Sequence, residues 1–231
     1  MKKIHQDNLD EKFVSRRQGF DGRLLKVMVD TVTLPNGRQT TREIIAHPGA
    51  VCVVPVLDDG GIIFVKQYRY AVGSVLYELP AGKLDHPNED PLDCAKRELS
   101  EETGYEAAIW QKLTSIVTTP GFTDEVIHLY LARGLKKFDQ HTDEDEFIDI
   151  EAIKPEEVRR MLLEEEIFDA KTLSALCMMQ LVNKTSFDGR MVLCYIVFCN
   201  LIQAFGVGLI SQPAVKSASV KHEPVQFRYR Q

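Results

Sequence analysis

The chain has 231 residues, 44% of them apolar and 27% charged, which suits one large soluble globular domain with appendages and excludes a wholly disordered or collagen-like chain. Its net charge of −6 at pH 7 argues against a nucleic-acid-binding protein, because that class needs a basic surface. The five cysteines are an odd number without CxxC spacing, and no apolar run follows the first lysines, so we expect a cytoplasmic protein with reduced thiols.

The first half of the chain has the pattern of β-hairpins. Its apolar runs are rich in β-branched residues, and turn signals separate them at Asn36-Gly37 and at Gly60-Gly61. A further apolar run follows in the second half. The predicted strands cover residues 24–34, 38–46, 50–57, 62–68 and 126–132.

Helix signals begin at Asp90. Asp90 can cap a helix, Pro91 suits its first position, and Gly104 is a natural residue just beyond its end. The predicted helices run from Asp90-Pro91 to Thr103, over residues 155–165, and from Asp169 through the apolar run 170–182. Strands, a helix, strands and two helices in this order predict an α/β (α+β) fold with helices packed on a mixed sheet.

An acidic stretch on the first predicted helix carries the strongest functional signal. The chain reads GKLDHPNE at residues 82–89 and, after seven residues, RELSEETGY at 97–105. On a helix Glu98 and Glu102 share a face, with Glu101 close by. Ionising these carboxylates together is costly unless a cation such as Mg²⁺ or Mn²⁺ accepts their oxygens. Arg97 can orient one of the acids by a forked bond.

This spacing resembles the Nudix box, GX5EX7REUXEEXGU, in which U is an apolar residue. The chain keeps the register of the box from Glu89 to Tyr105, but six residues separate Gly82 from Glu89 where the box has five. The extra residue therefore falls in the loop before the helix. The resemblance covers about residues 20–184 and implies the Nudix fold, an α/β/α sandwich around a mixed sheet, with hydrolysis of a nucleoside diphosphate linked to another moiety.

Three other segments resemble the ADP-ribose pyrophosphatase group of this family. Pro120 lies 15 residues after Tyr105, where that group tends to have a proline. The hairpin that ends in TREIIAHPGAV at 41–51 is similar to the hairpin that this group exchanges between the two subunits of a homodimer. The acidic run DEDEF at 143–147 lies where the group carries its catalytic glutamate.

The resemblance implies roles for individual residues. Glu98, Glu102 and the carbonyl of Ala81 would bind the metal, with Glu101 in or next to that shell. Glu146 or Glu144 would activate the attacking water, a choice that the sequence leaves open, and Arg97 would orient the acids. The implied substrate-binding residues are Arg42 and Glu43 at the nucleotide end, reaching across the dimer, Arg69 and Lys83, and Thr119, Pro120, Gly121 and Glu125 near the ribose.

The implied activity is Mg²⁺-dependent hydrolysis of ADP-ribose to AMP and ribose 5-phosphate, in a cytoplasmic homodimer, with Mn²⁺ as an alternative ion. Two other functions stay open. One is a broader nucleoside-diphosphate-sugar pyrophosphatase that accepts ADP-glucose or GDP-sugars. The other is a domain that senses ADP-ribose without cleaving it, although the complete set of acids argues against a pure binder.

The predicted domains are an N-terminal β region at 1–45, the Nudix domain at 46–184 and an apolar extension at 185–231. Residues 191–215 contain no charged side chain, and 191–210 are long enough to cross a bilayer. The extension could be a membrane anchor, a hairpin covered by the protein or a partner, or a segment with little structure. Membrane contact is not favoured, and we expect catalysis not to need the extension.

Overall fold

A computed structural model describes residues 8–86, 88–140 and 147–182. The chain divides into two units, residues 1–183 and 184–231, and all described residues belong to the first. Their elements in chain order are β1 Lys12–Asp21, β2 Lys26–Thr33, β3 Gln39–Ile45, β4 Ala50–Pro55, β5 Ile62–Arg69, β6 Ser74–Glu78, β7 Ala81–Lys83, α1 Pro91–Thr103, β8 Tyr105–Val117, β9 Val126–Lys137, β10 Ile148–Ile153, α2 Pro155–Leu163 and α3 Ala170–Val182.

The strands form three sheets, ordered β1-β2-β3, β10-β5-β6 and β7-β4-β9-β8. Strands β4 and β9 run parallel, whereas β4 and β7 pair antiparallel, so the central sheet is mixed, as predicted. The pairing places Ala81 opposite Cys52, and Cys52 opposite Leu129. Strand β4 therefore carries β7 on one side and β9 on the other.

Helices cover both faces of the central sheet. Val51 and Val53 of β4 pack in one buried cluster with Cys94 and Leu99 of α1. Their neighbour Cys52 belongs to the opposite cluster, which contains buried residues of α2 and α3. Successive strand residues point to opposite faces, so β4 is apolar throughout because both of its faces are buried. This layering confirms the predicted α/β/α sandwich.

The predicted first helix is confirmed at both ends. The Asp90 carboxylate accepts a hydrogen bond from the Leu92 amide at 2.8 Å, and Pro91 occupies the first turn. Gly104 has a φ of 65°, a left-handed conformation that favours glycine. A side chain there would also meet the Phe138 carbonyl oxygen, because a Cβ atom would lie 2.8 Å from it.

The two later helices also form, with small differences in their ends. Helix α2 stops at Leu163, two residues before the predicted end, because Glu165 adopts a left-handed φ of 58°. Helix α3 begins at Ala170, and the Asp169 side chain accepts from the Thr172 amide at 3.0 Å. This hydrogen bond satisfies one of the amides left open at a helix start.

Five strands were not predicted, namely β1, β6, β7, β8 and β10. Strand β1 is exposed along its whole length, and it extends the predicted N-terminal hairpin to a three-stranded sheet. Arg16 of β1 donates a fork of two hydrogen bonds, at 2.6 and 2.8 Å, to the buried Asp30 of β2. The contact stabilises β1 even though its apolar side chains are exposed.

The predictions for the extension at 185–231 lie outside the described residues, as do Glu144 and Glu146. Within the part of the chain that the structure describes, no helix is both long and apolar enough to cross a membrane.

Candidate active site

The acidic face of α1 lies against the backbone of β7. Glu102 is buried, and its carboxylate accepts a hydrogen bond from the Ala81 amide at 3.0 Å. Glu98 lies beside Gly82 so closely that a Cβ atom on Gly82 would be 2.0 Å from the Glu98 carboxyl carbon. The glycine is therefore needed for close approach, since any side chain would occupy the place of the carboxylate.

Arg97 connects the acidic groups around this contact. Its Nη1 donates to Glu98 at 2.8 Å and to Glu101 at 3.2 Å. Its Nη2 lies 3.4 Å from a carboxylate oxygen of Glu89 and donates to the Lys83 carbonyl at 3.3 Å. Burial acts to lower the pKa of Arg97, but the charge and hydrogen bond of Glu98 outweigh it and raise that pKa above its ordinary value.

A second charged network adjoins the first at the end of β5. Arg69 forms a fork with the buried Glu78, with N···O distances of 2.6 and 2.8 Å. Lys171 of α3 also pairs with Glu78, and it lies 3.0 Å from Asp169. Burial acts to raise the pKa of Glu78, but the hydrogen bond from Arg69 and the charge of Lys171 bring it below its usual value.

Arg69 links this network to the acidic helix. Its hydrogen bond with Glu78 is the main cause of its raised pKa, and the charges of Glu102 and Asp169 add to the increase. The fork uses Nε and Nη2. Among the described residues, Glu78 is the acceptor bonded to Arg69, and Nη1 takes no part in this fork.

The predicted ribose-side residues lie in the connection between β8 and β9. Thr119 accepts hydrogen bonds from two amides of this turn, and Pro120 and Gly121 are exposed. The Glu125 carboxylate accepts from the Thr118 hydroxyl and lies 3.4 Å from Nε2 of His47.

A cleft of about 450 Å³ connects this region with the start of α1. The residues that line it include His47, Asp124, Glu89 and Pro91. The His47 amide donates to Asp124 at 2.8 Å. His47 was not among the predicted site residues, because an isolated histidine in a loop gives no spacing signal.

Arg42 and Glu43 lie on β3, in a different sheet from the acidic cluster. Arg42 forms a fork with Glu11, at 3.1 and 2.5 Å, and Glu43 is exposed. The structure therefore gathers Ala81, Arg97, Glu98, Glu101, Glu102 and Lys83 around β7 and α1, with Arg69 adjoining. It holds Arg42 and Glu43 in the N-terminal sheet.

The acidic run that contains Glu144 and Glu146 is flanked by two described anchors. Before it, the Gln140 side chain donates to the Glu102 carbonyl at 2.7 Å. After it, Ile148 pairs with Gln67, two residues before Arg69 on β5. The chain thus leaves from the acidic helix and returns beside the Arg69 network. These anchors join residues far apart in sequence, so no local pattern could reveal them.

The donor atoms around β7 suit a hard divalent cation. Carboxylate and carbonyl oxygens are the ligands that Mg²⁺ and Mn²⁺ prefer, and Gly82 leaves room for Glu98 beside the backbone that carries Ala81. Within the described ranges, no three His, Cys, Asp or Glu side chains converge as a metal site. Glu98 and Glu102 instead engage Arg97 and the Ala81 amide.

The chain is similar to several known proteins. The NUDIX domain family matches residues 46–176. The chain is 45% identical to a methanol dehydrogenase activator of Bacillus methanolicus over 74% of this chain and 94% of that protein. It is 42% identical to an ADP-ribose pyrophosphatase of Bacillus subtilis over 75% of this chain and 95% of that protein.

A solved structure extends the comparison to the fold. A crystal structure of an ADP compounds hydrolase superposes with a TM-score of 0.67 at 21% identity, covering 79% of this chain and 96% of that chain. At this identity the superposition shows a shared fold.

The Glu78 network gives a test of stability. We expect Glu78→Gln to lower the free energy of unfolding by about 1.5–3 kcal/mol at pH 7, because an amide cannot replace the buried carboxylate that pairs with both Arg69 and Lys171. The folded pKa of Glu78 is lowered, so its contribution is present above its unfolded pKa and is lost as pH falls through the folded pKa. Urea unfolding at pH 7 and pH 3 should therefore show a smaller difference between variant and wild type at pH 3.

Asp59→Asn is the matched control, because Asp59 pairs with Lys154 where both side chains are more than half exposed. This exposed pair should contribute less than about 1 kcal/mol. Equal losses from the two variants would contradict the assigned role of the buried network.

Proposed function

Since this chain belongs to the NUDIX family, we propose that it hydrolyses the diphosphate bond of ADP-ribose to AMP and ribose 5-phosphate. The observation that carries this proposal is the match to an ADP-ribose pyrophosphatase along almost the whole length of that protein. The acidic cluster between α1 and β7 supports it, since a diphosphate can approach such a surface only with cations present.

We propose that Glu98, Glu101, Glu102 and the Ala81 carbonyl hold the divalent metal that the family generally uses, with Mg²⁺ as the ion and Mn²⁺ as a substitute. When bound, such an ion neutralises the diphosphate and stabilises the charge of the transition state. Arg97 keeps Glu98 and Glu101 oriented, and Gly82 keeps space for Glu98.

The substrate contacts follow from the cations and polar groups near this cluster. Arg69, fixed by Glu78, offers Nη1 to a phosphate oxygen, and Lys83 supplies a second positive charge at the end of β7. Around the ribose we propose Thr119, Pro120, Gly121 and Glu125. His47 would help to hold the Glu125 carboxylate in place.

A glutamate of the acidic run would deprotonate the attacking water. The anchors at Gln140 and Ile148 support this role, because they attach the run beside Glu102 and beside the strand of Arg69. Glu146 is our first candidate and Glu144 the second. Residues 185–231 have no role in the chemistry that we propose, and we expect the enzyme to act in the cytoplasm.

The main test is turnover of ADP-ribose with Mg²⁺, with AMP and ribose 5-phosphate as the measured products. Glu98→Gln and Glu102→Gln should each lower kcat about a thousandfold, because a bound metal supplies several kcal/mol of transition-state stabilisation. Full activity in both variants would contradict the site.

Glu106→Gln is the control, since Glu106 is an exposed glutamate on β8, just beyond the helix. It should keep wild-type kcat. A panel of ADP-ribose, ADP-glucose and GDP-mannose, ranked by kcat/KM, separates ADP-ribose hydrolysis from the broader sugar-nucleotide activity. Tight ADP-ribose binding without products would favour the sensor instead.

The choice of base can be tested by comparing Glu146→Gln with Glu144→Gln. Loss of a general base costs at least about a hundredfold in rate, so one variant should fall by that factor while the other stays within about tenfold of wild type. Single-turnover kinetics measures the chemical step directly. If both variants keep wild-type rates, the base lies elsewhere.

We also propose a homodimer in which the N-terminal sheet exchanges between subunits. The large apolar side chains exposed on the β1–β2 hairpin, namely Phe13, Val14, Phe20, Leu24 and Leu25, support an interface on that sheet. Arg42 and Glu43 would then reach the nucleotide end of the partner's site.

Mixed dimers test this arrangement. An Arg42→Ala chain and a Glu98→Gln chain should each be poorly active alone. If Arg42 acts across the dimer, a mixed dimer contains one site with both native residues, and it should regain about half of wild-type activity. If each chain builds its own site, mixing restores nothing, which would contradict the exchange.

A further inference from the structure

The link between β6 and β7 is held from three separate elements. The Leu79 amide donates to the Thr172 hydroxyl of α3 at 2.9 Å. The Pro80 carbonyl accepts from the Val53 amide of β4 at 2.9 Å, and the Ala81 amide donates to Glu102 of α1 at 3.0 Å. Backbone groups of three consecutive residues are thus bonded to α3, β4 and α1 in turn. The last of the three is Ala81, the first residue of β7.

Thr172 is fully buried, with 0% of its surface exposed. Its hydroxyl donates to Asp169 at 2.7 Å. A hydroxyl has one proton to donate and two lone pairs to accept with. Because Asp169 takes the proton, the lone pairs remain for the Leu79 amide, and Asp169 thereby sets the direction of the contact.

Packing alone does not account for a threonine at this position. Ala175 and Leu176, on the following turn of α3, are buried in the apolar core, where a valine would fit as well as a threonine. The hydroxyl instead satisfies a buried amide 93 residues away. A buried amide without an acceptor is strongly unfavourable, so loss of the hydroxyl would drive the Leu79–Ala81 link to move towards another acceptor or water.

We infer that Thr172, oriented by Asp169, is a positioning residue that sets the place of the Ala81 carbonyl in the proposed metal site. The inference rests on the proposed function for the role of Ala81. Small displacements of a catalytic group can reduce rates a hundredfold, so a residue that only positions the Ala81 carbonyl can still control the rate. The effect should appear in metal binding and kcat, with little change in KM.

The test compares Thr172→Val, which keeps the shape and removes the hydroxyl, with Thr172→Ser, which keeps the hydroxyl. We expect Thr172→Val to lower kcat and to weaken Mn²⁺ binding, measured by calorimetry without substrate, each by about tenfold, with KM changed less than twofold. Thr172→Ser should restore both to within about threefold of wild type, which a loss of packing would not explain.

Ser174→Ala, a hydroxyl removal two residues along the same helix, is the matched control and should leave both quantities unchanged. Wild-type Mn²⁺ affinity in a folded Thr172→Val chain would overturn the inference, whether or not ADP-ribose is the substrate. A wild-type chain that binds Mn²⁺ but does not cleave ADP-ribose would instead overturn the proposed function alone.

If Thr172→Val does not fold, hydrogen exchange of the wild-type chain and of Thr172→Ser still tests the inference. The Leu79 amide of the wild-type chain should be protected as strongly as the central strand β4, and Thr172→Ser should keep that protection. Rapid exchange of this amide in either folded protein would overturn the inference.

Discussion

The contact between α1 and the backbone of β7 is the constraint on which the rest of the site depends. A buried carboxylate is stable only with partners, and Glu102 finds one in the Ala81 amide. Glu98 can approach the same backbone only because residue 82 has no side chain. Helix α1 and the carbonyl of Ala81 are therefore fixed relative to each other by one short stretch of strand, which itself pairs with the core strand β4.

The charges around this contact divide into two groups with different roles. Arg97 lies among several carboxylates that share its guanidinium, and its charge reduces the repulsion between them. Arg69 and Lys171 instead both pair with the buried Glu78. These ion pairs connect the end of β5 with α3. The first group gathers negative charge where we propose that a cation binds, and the second keeps a positive group beside it.

The sequence predicted the elements whose signals are local. Helix α1 carries its cap, its proline and its terminal glycine within 15 residues, so its bounds and its acidic face could be read directly. Strand β8 gave no such signal, because much of it is exposed and an irregular register near Lys112 interrupts its alternation. Contacts such as Leu79 with Thr172, or Gln140 with Glu102, join distant parts of the chain and depend on the fold that they help to build. Local signals also could not predict the contact of Arg42 with Glu11, because this contact depends on β1, a strand that was not predicted.

The extra residue in the loop before α1 shows which end of the box is physically constrained. Glu89 reaches Arg97 with one carboxylate oxygen, and its other oxygen accepts from the Asp85 amide at 2.6 Å. This second contact joins Asp85 to Glu89 across the loop in which the additional residue falls. The spacing from Glu89 to the acids of α1 is constrained, because Glu89 must stay within reach of Arg97 and the acids must share one face of the helix. Gly82 is fixed independently by its contact with Glu98. The contact of Gly82 with Glu98 and that of Glu89 with Arg97 are thus both present in a chain whose loop is one residue longer than that of the box.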